Sequence, residues 1–297
     1  MNPKVSIGMP VYNGEKYIKQ AIDSVLTQTF TDFEFIISDN ASTDQTENIC
    51  REYGKKDARI KFIRQESNRG PSFNFLFVLS KANSDYFVWL GDDDYWEPTF
   101  LEKNVSILNS DRNVVGSIGI VEFYGIENFH IKKNLIFKIK NIMRRGSNQD
   151  YEKYQHVRPA FGTYEKKAEM YLRFNQASFV YGLFRTDKLK KRMVPIRDSW
   201  DGILLLSILK EGDLHVVNEI LIHRFVSGVH SGSGYLSSYK KNLLSFTELI
   251  FPSSNIAHWC FKNFGLKFFL RNLDWFVLSI IYGWYSIIKE SKGIKKN

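Results

Sequence analysis

The stretch FVWLGDDDYWEP, from Phe87 to Pro98, places three adjacent aspartates directly after a short apolar run. When ionised, the carboxylates of Asp92, Asp93 and Asp94 repel one another, and burying them unpaired costs free energy. Carboxylate oxygens are hard ligands suited to Mg2+ or Mn2+, and a divalent cation would offset the repulsion. Such a cation could also bind a diphosphate and stabilise the negative charge of a leaving group. A solvated acidic loop is the alternative interpretation of the triplet.

The elements that must position this triplet can be predicted from hydrophobic periodicity. Apolar runs predict strands at 5–9, 33–37, 60–64 and 85–90. Helical patterns predict helices between them, at 15–28, 42–54 and 72–82. The middle helix opens on S-T-D-Q, which has the form of a capping box beginning at Ser42. The β-α-β order predicts an α/β protein with a parallel, doubly wound sheet.

Ligands of such sheets bind outside the carboxyl ends of the strands, so the residues that follow each predicted strand are informative. Those residues are polar or turn-forming: Pro10–Asn13, Asp39–Asn40, Asn68–Gly70 and Asp92–Asp94. Neither a Walker A motif nor a GxGxxG follows the first strand, which argues against P-loop and dinucleotide-binding proteins.

The second half of the chain is less clearly patterned. Strands are predicted at 114–123, 180–184 and 215–225, and a helix at 200–210. Beyond Tyr235 the sequence becomes helical, aromatic and basic. Its longest apolar run, 275–288, falls short of the roughly 18 residues of a spanning helix. With two cysteines outside any CxxC and no signal-peptide pattern at the start, the sequence predicts a cytoplasmic protein.

Four segments, in this order, resemble the motifs of family 2 glycosyltransferases with the GT-A fold: VSIGMPVYNGEKYIKQAIDSVLTQTF, ISDNASTDQT, NRGPSFN and VWLGDDDYWEP. The resemblance is dense over residues 4–110 and sparse afterwards. It implies a GT-A (Rossmann-like), doubly wound, mostly parallel sheet followed by a C-terminal helical extension. The implied catalytic domain is 1–235, with a nucleotide-sugar-binding half at 1–115 and an acceptor-binding half at 116–235.

The resemblance also implies roles for the matching residues on the donor side. Tyr12 would face the nucleobase, in a pocket shaped by Pro10 and Val11. Asp39 would accept a hydrogen bond from a pyrimidine ring N–H, and Arg69 would lie near the diphosphate. The remaining members of the implied nucleotide-binding set are Asn13, Glu15, Asn68, Gly70 and Asp92. Asp92 would contact the ribose or a metal-bound water.

Asp93 would be the direct metal ligand, and Asp201, in SWDGILLL, falls where the family places its general base. Asp198 is a close competitor for that role. Two departures are visible: Gly91 stands where the family often has Asp, and Trp200 where many members have Glu. Arg224 and His230 are the candidates for contacts with phosphates or acceptor.

The implied reaction is the inverting, metal-dependent transfer of one sugar from a nucleoside-diphosphate sugar to an acceptor hydroxyl. A UDP-sugar is the favoured donor, a glycan or lipid-linked sugar the acceptor, and Mn2+ or Mg2+ the cofactor. The QxxRW motif of processive members is absent, which favours transfer of a single sugar. The alternative is a nucleotide-sugar-binding protein without catalytic activity on the same fold.

The chain carries a net charge of +9, distributed unevenly. Acidic residues outnumber basic ones in 1–115, and basic residues dominate afterwards. A nucleic-acid partner is not expected, because no recognisable binding module is present and the strand ends are acidic where phosphates would lie. The basic, aromatic segment 236–297 either packs on the catalytic domain or binds a membrane surface, which would make the protein peripheral at the cytosolic face.

Overall fold

The computed structural model describes residues 3–125, 154–155, 157–174, 176–193, 200–225 and 249–291. Its strands are β1 (Val5–Val11), β2 (Phe33–Asp39), β3 (Ile60–Arg64), β4 (Tyr86–Trp89), β5 (Tyr95–Trp96), β6 (Val114–Tyr124), β7 (Tyr154–Gln155), β8 (Leu183–Arg185) and β9 (Asp213–Phe225). Its helices are α1 (Ile18–Leu26), α2 (Thr46–Lys56), α3 (Pro71–Lys81), α4 (Phe100–Ser110), α5 (Tyr164–Phe174), α6 (Thr186–Lys191), α7 (Trp200–Ile208), α8 (Ser254–Arg271) and α9 (Leu273–Ser291). A 3-10 segment spans Gln176–Tyr181.

Within the described residues the strands form a nine-stranded sheet, in the order β3-β2-β1-β4-β8-β6-β9-β5, with β7 on β6. Strands β1 to β4 are parallel, and every residue of β1 and β2 is buried. This burial explains their continuous apolar runs, because helices cover both faces of a parallel sheet. The predicted α/β class with a doubly wound, mostly parallel sheet is confirmed.

The order of the first four strands creates a topological switch point. The chain moves outward from β1 to β2 and β3, and α3 then returns it to β4 on the other side of β1. Strands β1 and β4 are therefore neighbours whose connections lead towards opposite edges of the sheet. Open α/β sheets bind ligands at the carboxyl ends of such a strand pair. Beyond β4 the sheet is mixed: β8 runs antiparallel to β4 and β6, whereas β6 and β9 are parallel.

The start of α2 differs from the sequence prediction. The helix begins at Thr46, and the Asp44 carboxylate accepts a hydrogen bond from the Thr46 N–H at 3.0 Å. The predicted capping residue Ser42 instead binds Asp39 through its hydroxyl group, so the capping-box prediction was wrong. Gly54 does not end the helix, which continues to Lys56. Sequence patterns also missed α4, whose buried face covers β6.

The two C-terminal helices pack on the rest of the protein through one side. Cys260, Phe268 and Phe276 are buried in the common core. Arg173 of α5 donates to both carboxylate oxygens of Asp274, at 2.7 and 2.9 Å. In the part of the chain that the structure describes, no helix combines the length and apolarity needed to cross a bilayer. The predicted boundary at 235/236 lies outside the described residues.

Candidate active site

The loops that follow β1 and β4 meet closely at the switch point. A Cβ atom added to Gly14 would lie 2.4 Å from Oδ2 of Asp92 and 2.8 Å from Cγ2 of Val11. Only glycine allows the first loop to approach the acidic loop this closely. Sequence reasoning did not single out Gly14, although an Asn-Gly pair at a strand end is a recognisable turn signal.

The three aspartates of the acidic loop have different surroundings. Asp92 is buried, and burial together with the neighbouring Asp93 carboxylate raises its pKa well above the ordinary value. Asp93 is partly exposed, and its pKa is raised to about 6 by burial and by Asp94, against the opposing effect of Arg224. The Asp94 carboxylate accepts hydrogen bonds from Arg224 Nε at 3.1 Å and from the Phe225 N–H at 3.0 Å.

Asp94 is therefore compensated by the end of β9, whereas the charges of Asp92 and Asp93 raise the cost of ionising this loop. No group of three or more His, Cys, Asp or Glu side chains suited to hold a metal is found among the described residues. The Tyr124 hydroxyl fixes the backbone of the loop by donating to the Asp93 carbonyl at 2.6 Å.

Arg224 links the acidic loop to the 3-10 segment. Its guanidinium carbon lies 4.1 Å from the ring centroid of Tyr181. Burial raises the pKa of Tyr181 to about 12. Arg224 lowers this pKa, whereas the charges of Asp94, Asp93 and Asp201 raise it further. Arg224 thus connects the Tyr181 ring to Asp94 of the acidic loop.

Asp39 is fully buried at the end of β2 and is held by several groups. It forms an ion pair with Arg64, and it accepts hydrogen bonds from the Ser42 N–H at 2.9 Å and from the Ser42 hydroxyl. Arg64 is the residue paired with Asp39 in the β2–β3 register. Sequence reasoning missed Arg64, although its position at the end of a neighbouring strand was a usable signal.

Asn40 makes hydrogen bonds to the loop between β3 and α3. Its Nδ2 donates to Asn68 Oδ1 at 2.9 Å and to the Gly70 carbonyl at 3.1 Å, and its Oδ1 accepts from the Arg69 N–H at 3.1 Å. The Arg69 guanidinium lies 3.6 Å from the ring centroid of Phe73. The predicted residues 68–70 are therefore brought next to Asp39 by a buried amide.

The loop after β1 is braced against the loop after β2. Asn13 Oδ1 accepts from the Thr43 N–H at 2.8 Å, and Glu15 Oε2 accepts from the Gln45 N–H at 2.9 Å. Pro10 and Val11 are buried within β1, and Tyr12 is half-buried just beyond it. Asn13 and Glu15 therefore brace the loop after β1 against the loop after β2.

Asp201 lies in the first turn of α7, where its Oδ1 accepts from the Gly202 N–H at 2.8 Å. Burial raises its pKa against this hydrogen bond. Trp200 points the other way and packs against Phe75 and Trp89, with ring centroids 5.6 and 5.9 Å apart. The residue before the candidate base is thus part of the core. Asp198 and His230 lie outside the described residues.

Comparison with known proteins identifies the family of the chain. The family described as Glycosyl transferase family 2 matches residues 6–172. An uncharacterized glycosyltransferase of Rickettsia typhi is 33% identical over 139 residues, which are 47% of this chain and 41% of the relative. Glycosyltransferase GlyA of Streptococcus pneumoniae is 31% identical over 134 residues, 44% of this chain and 19% of GlyA. The chain spans less than half the length of these two relatives.

Solved structures share the fold at low sequence identity. S. aureus TarS 1-349 in complex with UDP-GlcNAc superposes with a TM-score of 0.57 at 18% identity, covering 93% of this chain and 81% of TarS 1-349. The mannosyltransferase PcManGT from Pyrobaculum calidifontis, in complex with GDP-Man and Mn2+, gives 0.54 at 13% identity, covering 96% and 73%. Because the family match includes more than half of the 297 residues, and the fold is that of GT-A glycosyltransferases, the chain belongs to glycosyl transferase family 2.

Proposed function

We propose that this chain transfers one sugar from a nucleoside-diphosphate sugar to an acceptor hydroxyl, with inversion at the anomeric carbon. The observation that carries the proposal is the close approach of the loops after β1 and β4 at the switch point, where the backbone of Gly14 meets the Asp92 carboxylate. A structural neighbour bound to UDP-GlcNAc supports a UDP-sugar as donor.

A divalent cation, Mn2+ or Mg2+, fits the chemistry of the acidic loop. Burial first, and the neighbouring carboxylates second, raise the pKa values of Asp92 and Asp93, and a hard cation bound there would relieve both effects. In this proposal Asp93 holds the ion, and Asp92 contacts the ribose or a metal-bound water. Asp94 is already used by Arg224 and Phe225. When bound, the cation supplies electrostatic stabilisation of the leaving diphosphate.

The donor-side residues would recognise the nucleotide. Asp39, held in one orientation by Arg64 and Ser42, would accept the pyrimidine N–H, and Tyr12 would face the base. Arg69 is exposed at the start of α3 and is available to a diphosphate oxygen. Arg224 faces the acidic loop, so its role toward phosphates depends on how far it remains paired with Asp94.

Asp201 is the proposed general base for the acceptor hydroxyl. A positioned carboxylate base contributes roughly a hundredfold to ten-thousandfold to such a step. The raised pKa that burial gives Asp201 makes it a stronger base than an exposed aspartate. The acceptor is proposed to be a glycan or a lipid-linked sugar, and a lipid-linked acceptor would place the protein at the cytosolic face of a membrane.

The test is sugar transfer and donor hydrolysis with a panel of nucleotide sugars and Mn2+, comparing the unaltered chain with Asp201→Asn. Turnover should fall at least about a hundredfold while donor affinity stays within roughly twofold. Asp187→Asn, at an exposed carboxylate of α6, is the matched control and should keep full activity. Full turnover in Asp201→Asn would remove this residue from the mechanism. Donor binding without any turnover in the unaltered chain would favour the non-catalytic alternative.

A further inference from the structure

A continuous row of apolar side chains is exposed on one side of the C-terminal helices. On α9 it consists of Leu273, Val277, Ile281, Trp284 and Ile288, at helical spacings of three and four. At 100° per residue these positions fall within an arc of about 80°. The part of α8 that follows Gly265 adds Leu266 and Leu270. We call these seven residues the apolar face, and their exposed fractions run from 41% to 59%.

The apolar face is not the side by which the helices pack on the protein. Phe268 and Phe276 are buried in the core, and Ser279 is also buried. Single exposed apolar residues are normal on soluble proteins, but a contiguous patch on one helix face marks an interaction site. Away from α8, α9 and the adjoining residues 250–251, the exposed large apolar residues Phe161, Met193 and Ile220 of the described chain lie far apart in sequence.

The charges near the apolar face are predominantly positive. Lys262 and Lys267 are exposed on α8. The Asp274 carboxylate is neutralised by Arg173, and Arg271 is occupied by Glu165 at 2.7 Å. In the sequence, Ile288 is followed by one glutamate, Glu290, and by lysines at positions 289, 292, 295 and 296. The balance of charge next to the apolar face is therefore positive.

We propose that the apolar face docks on an anionic lipid surface, with α9 lying in the plane of the interface. An apolar helix side with Trp and Tyr near one end and lysines at its border is what such a surface binds. A second copy of the chain fits less well, because pairing two copies of this face would bring their lysines together. The proposal concerns docking alone and does not depend on the proposed sugar transfer.

Docking would place lipid next to the half of the protein that carries the candidate base. The start of α8 contacts α7: Cδ1 of Ile256 would lie 3.5 Å from a Cβ atom added to Gly202, the neighbour of Asp201. The helices that form the apolar face are thus attached to the element that would position an acceptor.

Co-sedimentation with vesicles tests the proposal without any measurement of activity. The unaltered chain should bind phosphatidylcholine vesicles containing phosphatidylglycerol at least about tenfold more tightly than phosphatidylcholine alone. The triple variant Val277→Ser, Ile281→Ser, Ile288→Ser should bind the anionic vesicles roughly a hundredfold more weakly. The double variant Lys262→Gln, Lys267→Gln, altered only at exposed lysines, should bind roughly thirtyfold more weakly.

The matched control is Phe161→Ser with Ile220→Ser, which removes exposed apolar side chains outside the apolar face and should leave vesicle binding unchanged. Circular-dichroism melting should show the same folded state for all variants. The proposal is overturned if the unaltered chain ignores anionic vesicles, or if the triple variant binds them equally well. It is also overturned if the unaltered chain is a lipid-free dimer that the triple variant dissociates.

Discussion

Replacing Asp93 with Asn should stabilise the metal-free protein at neutral pH. The folded protein raises the pKa of this carboxyl from 3.8 to about 6, because burial and Asp94 disfavour the ionised form. A carboxyl with a raised pKa favours folding while it is protonated. That contribution is fully present below about pH 4 and is lost as the pH rises through about 6. At pH 7 Asp93 is ionised and opposes folding, whereas Asn carries no charge.

The magnitude follows from the two pKa values. Their difference corresponds to about 3 kcal/mol of unfolding free energy. Because Asp93 is partly exposed, water screens some of this, and we expect about 1–3 kcal/mol. At roughly 2 °C per kcal/mol for a chain of this size, the variant should melt about 2–6 °C higher at pH 7. Near pH 4 the two proteins should melt together.

Thermal melts from about pH 4 to about pH 8 in the presence of a chelator measure this difference directly. The substitution also removes a charge that raises the pKa of Asp92, so the contribution of this second carboxyl changes in the same direction. Asp32→Asn, at an exposed carboxylate, is the control and should show no pH-dependent gain. Added Mn2+ with a UDP-sugar should raise the melting temperature of the unaltered chain and not of Asp93→Asn. Equal melting at pH 7, or a difference that does not vary with pH, would refute the reasoning.

Gly14→Ala places a methyl group 2.4 Å from a carboxylate oxygen of the acidic loop, and calorimetry should show at least about tenfold weaker donor binding. Gly54→Ala, whose added Cβ would have a 3.9 Å contact, should bind normally, and equal affinities in the two variants would contradict the argument. Trp200→Glu should lower the free energy of unfolding in urea by at least about 3 kcal/mol, because it buries a carboxylate among aromatic rings. Unchanged stability would mean that packing does not govern this position. Arg224→Ala leaves Asp94 buried without its cation and should cost about 3 kcal/mol in the same assay, and a loss below about 1 kcal/mol would show the pair to be weak.

The first half of the fold was largely predictable because its local signals agree with its tertiary structure. Strands β1, β2 and β4 are buried on both faces, so their sequences are largely apolar with polar residues after their ends. The prediction for β3 matched the observed Ile60–Arg64. The start of α2 was not predictable in this way, because the Ser42 hydroxyl donates a hydrogen bond to Asp39 and does not cap the helix. A local capping pattern cannot reveal that a tertiary partner competes for the same hydroxyl group.

The sequence predicted which loops form the candidate site, but it did not predict which side chains in them contact each other. Four strand-end segments were expected to meet, and the structure brings Asp92 against Gly14 and Asn40 against residues 68–70. That Asp94 would be paired with Arg224 could not be read from the sequence, because 130 positions separate the two residues. Arg64, by contrast, could have been found, because it ends the strand predicted next to the one that Asp39 ends.

The ion pair of Arg173 with Asp274 makes the stability of the rest of the protein depend on the presence of the last two helices. A chain shortened before residue 254 would leave this guanidinium enclosed on α5 without its carboxylate, and would uncover the part of α7 that Ile256 covers. Removing one partner of a buried pair costs far more than the pair contributes. Exchange of the C-terminal helices during evolution would therefore require a simultaneous change at position 173, so the two elements should be inherited as one unit.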